Sequence, residues 1–282
     1  MNIYDIAKLA NVSIATVSRV VNNSPKVSPK TKEKVLAIMK ENEYTPNAFA
    51  RGLGLGSMKT VGIICPNIDD IYMAKAVSYL ERNLHAHGYD CILGCSGFKQ
   101  EEKEDYIRLL LSKKIDTLIL VGSTYAGNGK DESDTDYIRE AAEQVSIFMI
   151  NAKVSGDNLY CTYADDFQAT YEVTKAFIRR GKEKILFMYD SESYSARQKM
   201  AGYEAALQEA GYPICGNLKF KTRNDIEYTR DMLLEYNRTL DFDSVLATED
   251  GIAIGAVKYA KIKELAIPEE LPVAGYNNSI LA

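Results

Sequence analysis

The stretch Ile3-Tyr4-Asp5-Ile6-Ala7-Lys8-Leu9-Ala10-Asn11-Val12-Ser13-Ile14-Ala15-Thr16-Val17-Ser18-Arg19-Val20-Val21-Asn22 decides how the chain begins. Ile3, Ile6, Ala7 and Ala10 recur at helical spacing, Asn11-Val12-Ser13 interrupts them, and a second periodic set follows at Ala15, Val17, Val20 and Val21. Two short helices joined by a tight turn are expected, with Ser13 as N-cap of the second. Its outer positions, Ile14, Ala15, Ser18, Arg19 and Asn22, are small, polar or basic, and such a face fits a major groove. A third helix is expected from Ser28 as cap and Pro29 in the first turn, burying Val35, Ile38 and Met39 against the other two.

Working outward, the charge changes sign along the chain. Residues 1–60 hold nine Lys and Arg against four acids, a net of +5, so the remainder carries −10 of the overall −5. A basic head on an acidic body suits phosphate contact by the head, although a solvated charged face would look the same on charge alone. The 282 residues exceed what one compact domain usually holds, and at least two are expected. Five cysteines with no CxxC pair give neither a disulfide framework nor a zinc site. No apolar run approaches the roughly 20 residues that span a bilayer, and the N-terminus has no signal-peptide pattern, so a cytoplasmic protein without a membrane partner is expected.

The residues quoted above, with Val27-Ser28-Pro29-Lys30-Thr31 and Tyr44-Thr45-Pro46-Asn47-Ala48-Phe49-Ala50-Arg51-Gly52-Leu53, resemble the head of the lactose-repressor/galactose-repressor (LacI/GalR) family, most nearly the catabolite control proteins. The resemblance implies a DNA-binding transcription regulator, a homodimer on a palindromic double-stranded operator. By the same resemblance Ile14, Ala15 and Arg19 face base edges, while Tyr4, Ser13, Thr16, Ser18 and Asn22 hold phosphates. The chemistry agrees for Arg19, which can grip guanine O6 and N7. Each hydroxyl could instead cap a helix or bond back to the backbone.

Residues 46–58 resemble the family's hinge, which implies Leu53 as a wedge between base steps of the minor groove. A plain flexible linker remains the alternative, because Gly52, Gly54 and Gly56 each disfavour helix by about 1 kcal/mol. A dinucleotide loop is rejected for Gly-Leu-Gly-Leu-Gly-Ser, since it precedes the first strand instead of following one.

Beyond the hinge, short apolar runs at 60–65, 89–94, 117–121 and 147–151 alternate with amphipathic stretches near 74–87, 101–112 and 136–144. A second set follows, with strands at 185–189, 245–248 and 271–276 and helices near 196–210, 226–236 and 252–263. Two similar parallel α/β lobes are expected, at 59–181 and 182–282, behind a helix-turn-helix head at 1–45. The family resemblance implies that they form a periplasmic-binding-protein-like core with a small-molecule effector, a sugar or sugar phosphate, in the cleft. It also implies a final strand-helix-strand unit of about 30 residues beyond Ala282, so the chain is read as C-terminally incomplete.

Ligands of open parallel sheets sit beyond the carboxyl ends of the strands. Tyr72, Ser123, Asp165, Arg197, Lys199, Glu249 and Asn277 are therefore the cleft candidates, and Asp250 is read as a helix cap before a ligand contact. Two positions depart from the family: Lys199, in Lys199-Met200-Ala201-Gly202-Tyr203, stands where many members have Arg, and Asn277 where they have Asp. Both changes alter hydrogen bonding to ligand hydroxyls. Arg197 could compensate, or could be a surface arginine.

An enzyme is not expected, because the two histidines, His85 and His87, share one amphipathic stretch without a catalytic or metal-binding constellation. No cofactor is expected. Control by a protein co-regulator stands as the alternative to direct sensing, and a sugar-binding protein with no DNA role is disfavoured by the basic head.

Overall fold

The computed structural model describes residues 1–45, 57–127, 132–236 and 241–282. Its first three helices are α1 (Ile3–Ala10), α2 (Ile14–Val21) and α3 (Pro29–Glu41). Each starts on a side-chain cap. Asn2 accepts from the backbone N–H groups of Tyr4 and Asp5 while Asp5 accepts from that of Asn2, a reciprocal pair the sequence reading did not identify. Ser13 caps α2 and Ser28 caps α3, with Pro29 at the first helical position. Asn11, left-handed at φ 50°, ends α1 and sets up the turn. Ile6, Ala7, Ala10, Val17, Val20, Val35 and Met39 form one small core, with Ile38 half-buried at its margin. Full burial of Ile6, Val17 and Val35 contributes about 1.5–3 kcal/mol each. Ala15, included in the apolar repeat, faces solvent instead, because the buried stripe of α2 runs through Val17 and Val20.

The first lobe is a five-stranded parallel sheet in the order β2-β1-β3-β4-β5. Its strands are β1 (Thr60–Cys65), β2 (Asp90–Cys95), β3 (Thr117–Val121), β4 (Ser146–Ile150) and β5 (Leu159–Thr162), with α4 (Ile71–Ala86), α5 (Gln100–Ser112) and α6 (Asp136–Ala142) between them. Helix α4 covers one face through Val77, Leu80 and Leu84; α5 and α6 cover the other through Ile107, Leu110, Ile138 and Ala141. Double coverage explains the continuous apolar runs of β1 and β3. Strand β5 was not foreseen: it is four residues long, with alternately half-buried and exposed positions.

The second lobe is parallel in the order β7-β6-β8-β9, with β6 (Ile185–Tyr189), β7 (Lys219–Lys221), β8 (Ser244–Ala247) and β9 (Val273–Ala274). Helices α7 (Asp166–Arg179) and α8 (Tyr194–Glu209) pack on one face, α9 (Ile226–Tyr236) and α10 (Asp250–Ile262) on the other. The expected border after Gly181 is displaced. Phe177 of α7 is buried with Phe187, Tyr203 and Leu207 of the second lobe, so the chain crosses between lobes after β5. Strand β9 is also shorter than expected, because Tyr276 leaves the sheet to donate to Asp166 Oδ1 at 2.6 Å. Among the described residues no helix is long and apolar enough to cross a membrane.

Candidate functional site

Two places carry chemistry: the outward face of α2, and the cleft between the lobes. On α2, Val17 and Val20 turn inward, which leaves Ile14, Ala15, Ser18 and Arg19 on one outer side, neighbours by the i, i+4 rule. Ile14 is 41% exposed, Ala15 and Arg19 are exposed, and Ser18 is half-buried. Tyr4, at the start of α1, is 66% exposed. The Ser13 hydroxyl accepts from Thr16 N–H at 3.1 Å and lies 2.9 Å from the Thr16 hydroxyl, so it serves as a cap while both side chains remain at the helix start. Asn22 is half-buried, and among the described residues its Oδ1 has no hydrogen-bond partner. Leu53 and the rest of segment 46–56 lie outside the described residues, as does any test of the expected hinge helix.

The cleft follows from topology. In each lobe the strand order reverses beside the first strand, between β1 and β3 and between β6 and β8, and the loops leaving these carboxyl ends diverge there. They bound a cavity of about 690 Å³. Tyr72 and Ser123 line it from the first lobe; Lys199, Glu249 and Asn277 line it from the second. The loop bearing Ser123 is anchored from behind, where Lys103 donates to Thr124 O at 2.8 Å and the Tyr125 hydroxyl lies 2.8 Å from Ser96 Oγ.

Two expected cleft residues are elsewhere. Asp165 is exposed and caps α7, accepting from Gln168 N–H; the neighbouring Asp166 is the buried one. Arg197 is not part of the cleft wall, and among the described residues its buried Nε has no partner. Asp250 is not a cap. Glu249 occupies that position without a capping bond, and Asp250, in the first turn, accepts from Ser279 N–H at 2.6 Å and forms part of the cleft wall. Sequence reasoning also missed Asp70, before α4, and Asp190, after β6. Both follow carboxyl ends of strands, so the rule that selected Tyr72 and Ser123 also covers them.

Lys199 and Asn277 are held by this chain's own groups. Lys199 is 3% exposed; its Nζ donates to Thr248 O at 3.1 Å, sits 3.7 Å from the Tyr276 ring centre and 3.9 Å from Glu249 Oε1. Burial depresses its ammonium, opposed by the nearby carboxylates. Asn277 donates to Glu249 Oε2 at 2.6 Å, where an aspartate would set two carboxylates together. Burial pushes Glu249 up to about 8, with Lys199 pulling the other way. Desolvation likewise raises Asp190.

Residues 2–47 match the family described as "Bacterial regulatory proteins, lacI family", and residues 58–279 match "Periplasmic binding proteins and sugar binding domain of LacI family". The chain belongs to the LacI family. An HTH-type transcriptional regulator of Lachnoclostridium phytofermentans is 46% identical over the whole of this chain and 84% of its own length. Catabolite control protein A of Priestia megaterium is 30% identical, again over the whole chain and 84% of that protein. In fold, the lac repressor dimer bound to operator and the anti-inducer ONPF superposes with a TM-score of 0.86 at 22% identity, covering 99% of this chain and 83% of the repressor. This LacI-family protein is a DNA-binding transcriptional regulator with a helix-turn-helix head and a two-lobed α/β core.

Proposed function

We propose that this regulator binds a palindromic operator as a homodimer, most simply as a repressor of carbohydrate-related genes. An effector in the interlobe cleft is coupled to DNA binding by the spacing of the two heads. The outward face of α2 carries the reading: a small core fixes the helix, and Arg19 stands exposed beside Ile14 and Ala15. Arg19 reads guanine, Ile14 and Ala15 offer apolar contacts, and Tyr4, Ser13, Thr16, Ser18 and Asn22 lie where phosphates pass. Leu53 is assigned the minor-groove wedge on the resemblance of its segment.

In the core, Tyr72, Ser123, Lys199, Glu249 and Asn277 surround the ligand. A ligand touching both lobes favours one spacing of the lobes, so effector and operator change each other's affinity by the same factor. Selection of bound sequences from a random DNA pool tests this, with an inverted repeat expected. Enrichment of a single half-site, or of nothing, would overturn it. Calorimetric titration with a panel of sugars in the presence of the selected DNA then tests the effector; an intact fold with no sugar response would point to a protein co-regulator.

A further inference from the structure

The cleft's charges restrict what it can hold. Asp70 comes from the first lobe; Asp190, Glu249 and Asp250 face it from the second. Their fields cross the gap, since Asp70 disfavours ionisation of both Asp190 and Glu249, and Asp190 that of Glu249. Among the described residues, Asp70, Asp190 and Asp250 form no ion pair, and Glu249 has only the 3.9 Å approach to Lys199. Among the described residues Lys199, already bound to Thr248 O and the Tyr276 ring, is the one basic side chain on the wall.

Burial first, and these neighbours after it, keep a proton on Glu249 at neutral pH, so a cation entering the cleft displaces that proton and meets carboxylates. Among the described residues of the wall a phosphate or carboxylate meets only Lys199, already held by its own partners. A metal ion is not the suitable cation, because among the described residues no three His, Cys, Asp or Glu are placed to hold one. A second, independent feature asks for a hydrogen-bonding ligand. Among the described residues Thr248, on the wall and 2% exposed, has a hydroxyl without a partner, as has Thr124 on the opposite lobe.

Resting on the effector reading above, we infer that the ligand is a hydroxylated molecule carrying a protonated amine, of the amino-sugar class. Its ammonium lies between Asp70 and the Asp190–Glu249 pair, and phosphorylated sugars are rejected.

The test is calorimetric titration of the full chain, at fixed ionic strength, with glucosamine, its β-1,4-linked dimer, the N-acetylated form of each, and glucose 6-phosphate. The free amines should bind at least about tenfold more tightly than their acetylated counterparts, the scale of one hydrogen bond to a charged group. Glucose 6-phosphate should not bind. The double variant Asp190→Asn, Glu249→Gln should lose the preference for the amine, with retained binding to the selected DNA reporting an intact fold. Equal affinity for amine and acetylated sugar, or tight binding of the phosphate, would overturn the charge inference while leaving the effector reading standing. No binding by any of these sugars, with DNA binding intact, would overturn the amino-sugar inference, and the effector reading falls with it only if the wider panel of sugars also gives no response.

Discussion

Gly202 is the point at which packing and the cleft meet, and Gly202→Ala tests both. An added Cβ would lie 2.1 Å from the Phe167 carbonyl oxygen and 2.5 Å from the Thr170 hydroxyl, where ordinary contact begins at 3.4 Å. The nearest obstacle is backbone, so no side chain can swing aside. Relief requires α8 to move from α7 by about 1.3 Å, the gap between 2.1 and 3.4 Å. That movement stretches the 2.7 Å bond from the Thr170 hydroxyl to Lys199 O, which is buried. Overpacking costs about 1–3 kcal/mol and the lost bond about 1–3 more, so about 4 kcal/mol is expected. At about 2–4 °C per kcal/mol for a domain of this size, the melting transition should fall by about 8–16 °C. Because Lys199 lies on the same helix one turn earlier, the cleft wall shifts as well, while the head, with its own core, keeps its DNA affinity. Differential scanning calorimetry measures the loss, with Gly216→Ala as control, since among the described residues a Cβ there meets nothing within 4 Å. A Gly202→Ala transition within about 3 °C of the parent would refute the close-packing reasoning.

Glu249 makes stability depend on pH. Its folded-state value of about 8 lies above the ordinary 4.5, so the folded chain holds a proton that the unfolded chain has released. Stability should therefore fall as pH rises from 4.5 to about 8, and thermal melts of Glu249→Gln across that window should show a shallower decline. Arg19→Ala should relax preference at one guanine position of the selected DNA at a cost of about 1–3 kcal/mol; equal weakening on every sequence would make Arg19 a phosphate contact. Cys65, fully buried and pushed up to about 12 chiefly by burial, should resist alkylation at pH 8 in the folded protein, while the exposed Cys95 beside it on β2 reacts. Mass spectrometry after brief iodoacetamide treatment distinguishes the two thiols, and equal labelling would contradict the burial of Cys65.

The head was legible because its determinants are local. Helical spacing, the caps Ser13 and Ser28, and Pro29 all act within a few residues, so reading them along the chain recovers three helices and their core. The long apolar strands β1, β3 and β6 were equally plain, since burial on both faces leaves uninterrupted hydrophobic runs. Short strands were not: β5 and β7, four and three residues long, owe their place to pairing with β4 and β6, partners distant in sequence.

The cleft divides the same way. Tyr72, Ser123, Lys199, Glu249 and Asn277 were accessible to reasoning from strand ends, because topology fixes which loops converge. Whether a side chain enters the cleft depends on helix orientation, and that turned Asp165 and Arg197 away and brought Asp250 in. The substitutions Lys199 and Asn277 read, in sequence, as altered ligand contacts. Only the tertiary structure gives them internal partners, Thr248 O and Tyr276 for the lysine and Glu249 for the asparagine. By itself the sequence determined a DNA-reading head on a two-lobed body, because periodicity and capping are short-range. The sign of the field in the cleft belongs to the fold, because charge at a site sums residues brought together from positions 70 to 250.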